Sequence, residues 1–163
     1  MATRTWVTGS TKNWSDSTAW VEAAAPTAAD DCIIAGTGTL TIDGTSGTPN
    51  LCRSAVFTGF TGTLTHATTK QLNVGDGTAG ALTFVSGMTY APSATSLIKL
   101  VSTTTGNTFT SGGKVIGSIT VEGAGGEWTQ GDALGFATGA TFTPTSGGWL
   151  TGNNNISSAS GNT

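Results

Sequence analysis

The residues of this 163-residue chain that could do chemistry are nine carboxylates, one histidine, two cysteines and five tryptophans. Cleavage of a polysaccharide would need two of Asp16, Glu22, Asp30, Asp31, Asp43, Asp76, Glu122, Glu127 and Asp132 across a groove, roughly 5 to 10 Å apart, one of them with a raised pKa. Their contexts point elsewhere. Asp43-Gly44, Gly75-Asp76-Gly77 and Gly131-Asp132 are turn signals, in which a short carboxylate closes its own backbone. No Asp-x-Asp-x-Asp run supplies the oxygens that calcium needs. A single His66, with no second histidine and no Cys-x-x-Cys, builds neither a zinc site nor a Ser-His-Asp triad. The expectation is a protein without catalytic residues, cofactor or metal. Cys32 and Cys52 are too few for a disulfide scaffold, but a coiled β-architecture with a turn about every 20 residues would stack them on neighbouring turns, reduced or bridged. Trp128 and Trp149 suit either a sugar-stacking platform or a core. Gly123-Ala124-Gly125-Gly126 and Gly147-Gly148 lack the Gly-Lys-Ser and the helix of a phosphate loop and are read as turns.

The elements that must carry these residues are short strands. No segment sustains the i, i+3, i+4 apolar pattern, whereas Thr39-Leu40-Thr41-Ile42, Leu72-Asn73-Val74, Leu82-Thr83-Phe84, Ile98-Lys99-Leu100 and Ile119-Thr120-Val121 alternate with period two. Threonine fills the outward positions, where a β-branched side chain suits a pleated surface. The phrases Gly38-Thr39-Leu40-Thr41-Ile42, Gly62-Thr63-Leu64-Thr65-His66 and Gly80-Ala81-Leu82-Thr83-Phe84 begin 24 and 18 residues apart. A loose period near 20, with each coil unable to bury its own apolar face, predicts an all-β fold: a short β-solenoid, with a β-sandwich as the alternative. The same alignment places His66 at the position of Ile42 and Phe84, stacked and half-buried. Trp6, Trp14 and Trp20, with Asp30-Asp31 and Ala25-Pro26-Thr27, mark residues 1–36 as a cap; residues 37–150 are read as the body and 151–163 as a polar tail anchored by Ile156.

Several function classes are disfavoured. Six cations spread singly and a net charge of -3 cannot form the positive stripe that a phosphate backbone demands, so nucleic acid is not an expected partner. No apolar run approaches the roughly 20 residues of a membrane-spanning helix, and Met1 to Trp6 holds no apolar stretch of a secretory signal, which suggests synthesis in a cytoplasm. Charged residues make up only 9% of the chain, too few for charge repulsion to keep it unfolded.

The run Asn13-Trp14-Ser15-Asp16-Ser17-Thr18-Ala19-Trp20, then Pro26 to Ile34 and Gly38 to Asp43, resembles the N-terminal segment of Thr/Gly-rich β-helical structural proteins of tailed bacteriophages. Phe57 to Leu64, Gly106 to Lys114 and Gly123 to Thr129 are similar to later coils of those proteins, so that the likeness covers roughly residues 6 to 135. The resemblance implies a virion structural protein. For a short member it implies a capsid decoration or cement protein on the capsid surface, bound to the major capsid protein or other virion proteins and, at threefold shell junctions, a homotrimer. The contact residues expected on this reading are Trp6, Trp14, Trp20 and Ile156. A tail-fibre or adhesin module that binds host glycans is the alternative, and a polysaccharide-degrading enzyme a third.

Overall fold

The computed structural model describes residues 1–158. The chain winds as a β-solenoid with three strand positions per coil. The first coil holds β1 (Thr3–Thr5), β2 (Thr11–Asn13) and, in place of a third strand, a 3-10 turn at Ser17–Ala19. The second holds β3 (Asp31–Ile33), β4 (Thr39–Ile42) and β5 (Asn50–Cys52); the third β6 (Ser54–Val56), β7 (Thr63–His66) and β8 (Gln71–Val74). Then follow β9 (Ala81–Thr83), β10 (Thr89–Pro92) and β11 (Leu97–Leu100); β12 (Asn107–Thr110), β13 (Val115–Ile116) and β14 (Ser118–Val121); β15 (Glu127–Gln130), β16 (Leu134–Phe136) and β17 (Phe142–Pro144). A last partial coil holds β18 (Gly148–Leu150) and β19 (Ile156–Ser158).

Every strand pairs in parallel with its counterpart one coil away, which excludes the sandwich alternative, whose sheets are antiparallel. The first face stacks β1-β3-β6-β9-β12-β15-β18 and the third stacks β5-β8-β11-β14-β17. The second face is two ladders, β2-β4-β7-β10 and β13-β16-β19. Pro92 explains the break. Thr89 and Ser93 turn their N–H groups back to the Gly62 and His66 carbonyls, so the alternate position 92 should donate forward to β13, and proline has nothing to donate.

Side chains form columns along the axis because the register holds from coil to coil. Leu40, Leu64 and Tyr90 align inside the second face, as do Leu72, Ile98 and Ile119 inside the third. Just past the first-face strands Phe57 and Phe84 pack edge to face at 5.2 Å, and Phe84 meets Phe109 at 6.3 Å. Threonines face outward: Thr11, Thr39, Thr63 and Thr89 form one column and Thr41 and Thr65 lie in the next. Coil spacing on the first face is 28, 23, 27, 27, 21 and 21 residues, longer than the expected 20 in all but the last coils, because the corners vary while the strands do not.

The recurring glycine phrase is explained only in part. Gly38 to Ile42 and Gly62 to His66 do stack, with Ile42 against His66. The phrase from Gly80 lies on the first face, so Phe84 is not in the His66 column. The three faces impose the same demands, a tight glycine corner followed by alternation, so one phrase recurs on different faces. At Gly38 the corner needs φ +115°, and a Cβ there would collide with the Ser10 carbonyl of the coil below.

The N-terminal end is closed by backbone as well as by side chains. Residues 19–21 return antiparallel to β1: Val7 N–H donates to the Ala19 carbonyl at 2.9 Å and Val21 N–H to the Thr5 carbonyl at 2.8 Å. Asp16 caps the 3-10 turn by accepting from Thr18 N–H at 2.8 Å. Residues 1–36 therefore include three strands of the solenoid itself, and the closure is made by residues 19–21 with Trp6 and Trp14. At the other end, Ile156 to Ser158 of the expected tail form β19, in register with β16; the part of that tail beyond residue 158 lies outside the described residues.

Candidate functional site

Among the described acids, those in turns close turns or tie coils together. Asp76 accepts from the Thr78 N–H and hydroxyl at 2.7 Å, Asp132 from Ser111 N–H at 2.7 Å, and Asp43 from the Ser15 N–H and hydroxyl. Asp30 is the most deeply set. It accepts from Ala2 N–H, Arg4 Nε, Thr27 N–H and the Thr27 hydroxyl at 3.0 to 3.1 Å. Burial by itself would raise its carboxyl, but the hydrogen bonds from Thr27, Ala2 and Arg4 outweigh it and hold it below its ordinary value. Asp31 pairs with Arg53 and accepts from the Ser54 hydroxyl. Among the described residues no group of three or more His, Cys, Asp or Glu side chains is placed to hold a metal ion.

His66 lies inside the second face, buried rather than half-buried, because the coil above covers it with Tyr90 and Pro92. Its Nε2 faces the Lys70 carbonyl at 2.9 Å, which can only accept, so Nε2 carries the proton and Nδ1 accepts from the Tyr90 hydroxyl at 2.9 Å. Burial pushes its pKa down to about 4, and burial pushes the Tyr90 hydroxyl up. The histidine is a satisfied core residue with both nitrogens engaged.

Cys32 and Cys52 are free and buried. They do not stack on one ladder: Cys32 is opposite Ala55 and Cys52 opposite Val74. Another route brings them near each other: the corner where β5 gives way to β6 is held against the start of β3, Arg53 N–H donating to the Asp30 carbonyl at 2.8 Å, and both buried thiols flank that contact.

The two ends of the solenoid place the remaining candidates very differently. Trp6, Trp14 and Trp20 are 3%, 1% and 1% exposed, so their rings offer no surface to a partner. Trp20 packs edge to face on Trp14 at 5.1 Å and on Trp6 at 6.3 Å, and each indole N–H donates to a backbone carbonyl, those of Thr37, Leu51 and Trp14. Any contact they influence runs through the surface they support, including exposed Val21. The opposite end carries Ile156 at 42% and Leu150 at 46% exposure. Beside them lies an aromatic cluster that composition did not single out: Phe142 stands 5.1 Å from Trp149 and 5.8 Å from Phe136, and Trp149 also meets Phe109 at 5.9 Å. Its signal was present in the apolar spacing Phe136, Phe142, Trp149, but only stacking brings the three rings together. Trp128 is fully buried directly beneath Trp149, which removes it from any sugar platform and leaves Trp149, partly covered, as the aromatic nearest the surface. Trp149 Nε1 donates to Gln130 Oε1 at 3.2 Å. The last coil thus leaves two aliphatics exposed in different settings: Ile156 continues the inward column of buried Leu134, uncovered by any further described coil, and Leu150 lies outward in the column of Thr129, on the opposite side of its strand from Trp149.

No helix among the described residues is long and apolar enough to cross a membrane. The chain matches no protein-family model, no curated protein and no solved structure at a significant level.

Proposed function

We propose that the protein is a bacteriophage virion structural protein, a capsid decoration or cement protein that stabilises the head by seating on the junctions between shell subunits. The observation that carries this reading is the difference between the two ends of the solenoid: one is closed by residues 19–21 and three buried indoles, the other leaves the large apolar side chains of Leu150 and Ile156 exposed on its last strands. On this reading the last coil is the shell-facing surface. The likeness of the Asn13 to Trp20 and Gly38 to Asp43 segments to phage β-helical proteins supports the virion setting. Low charge supports it too, since a cement that acts by buried apolar area needs little electrostatic steering. The mechanism is added contact area: about 600 to 1,000 Å² on each partner would make a stable junction. A homotrimer about a threefold junction would multiply that contact.

The test is sedimentation of the purified protein with expanded, undecorated phage heads. The expected result is saturable co-sedimentation that Leu150→Asp with Ile156→Asp reduces at least tenfold without lowering Tm. No association with heads, together with retention on host envelope glycans, would replace this reading with the adhesin.

A further inference from the structure

We propose that Cys32 and Cys52 are a latent disulfide site which, once oxidised, closes the second coil into a covalent hoop. The inference is independent of the virion reading and rests on the path of the chain. Asp31, Cys32 and Ile33 of β3 run opposite Ser54, Ala55 and Val56 of β6, and Arg53 N–H donates to the Asp30 carbonyl at 2.8 Å. Those bonds hold the β5–β6 corner against the start of β3. Cys52 stands on one side of that corner and Cys32 on the strand it docks against. Both side chains are buried, at 0% and 1% exposure, on the two sides of that contact. The chain between them, residues 32 to 52, is one circuit of the solenoid.

The chemistry is a two-electron oxidation by a small peroxide. One thiol attacks the O–O bond to give a sulfenic acid and water; the second thiol displaces a further water as the S–S bond forms, so that one peroxide and two thiols give one disulfide and two waters. The pair selects its oxidant. Neither sulfur is open to a bulky disulfide such as oxidised glutathione, whereas hydrogen peroxide is small and uncharged. Burial, followed by the contact with Cys52, raises the Cys32 thiol well above its ordinary pKa, so little thiolate is present at neutral pH and the reaction is slow in the folded state.

Purified protein is treated with hydrogen peroxide at pH 8, and also oxidised during refolding from guanidinium, then analysed by intact mass, thiol titration and melting. Cys32 and Cys52 share the tryptic fragment 13–53, so a second cleavage before Asp43 resolves the link. The expected product is a monomer lighter by two hydrogens, with fragments 31–42 and 43–53 joined and Tm raised by about 5 to 10 °C. Cys32→Ser and Cys52→Ser should each abolish both the link and the rise. Intermolecular dimers, sulfinic acids on either cysteine as the main product, or thiols that remain unlinked in protein oxidised by both routes would overturn the proposal. A linked monomer with a lower Tm would do the same.

Discussion

Asp30 illustrates how much one side chain contributes when it ties separate parts of a coil together. Its two oxygens hold Ala2, Arg4 and Thr27, joining the start of β1 to the segment that leads into β3. Asp30→Ala leaves a half-buried guanidinium and two N–H groups short of their acceptor, and should cost about 1 to 3 kcal/mol, read as a lower urea midpoint with faster amide exchange in β1. His66 makes a different demand. The folded imidazole takes up its proton only near pH 4, against 6.5 for the free side chain, because burial disfavours the cation. Between those values the unfolded chain binds more protons, so the stability this group contributes is full above pH 6.5 and falls as pH drops towards 4. The loss should total about 3 kcal/mol. Thermal melts across that window should show it, and His66→Gln should flatten the curve while lowering Tm at pH 7. The unchanged slope of such a variant would show that another group titrates.

At the scale of the strand and its corner, glycine sets what a coil can be. Gly38→Ala must place a Cβ at φ +115° against the Ser10 carbonyl, and should cost at least about 2 kcal/mol by chemical denaturation, more than an alanine in an open loop. The alternation that made Leu40, Leu72, Ile98 and Ile119 inward positions was readable directly, since a period of two is local. The outward threonines were readable for the same reason. What was not readable is which face a strand joins. Gly80 to Phe84 carries the same phrase as Gly38 to Ile42 but stacks on the first face, because corner lengths that no local pattern encodes decide the register. The depth of His66 was underestimated because its cover, Tyr90 and Pro92, comes from the next coil. The Phe136, Phe142 and Trp149 cluster was missed for a related cause: these rings come from three different strands and meet only after winding.

For the molecule as a whole, stability is shared between coil-to-coil interfaces and the closure at one end. Trp20→Ala removes the ring between Trp6 and Trp14 and should cost about 3 to 5 kcal/mol. It should also loosen residues 19–21 from β1 and free that edge, so light scattering should detect concentration-dependent oligomers in the variant but not in the parent protein. Thermal melting with scattering at two concentrations checks both effects. The closure also lies ahead of the coils in the chain, and each later strand pairs with one only 20 to 28 residues behind it. Folding can therefore follow the ribosome: the indole knot and first rungs assemble as soon as about two coils have emerged, and every further length of nascent chain finds a finished template waiting.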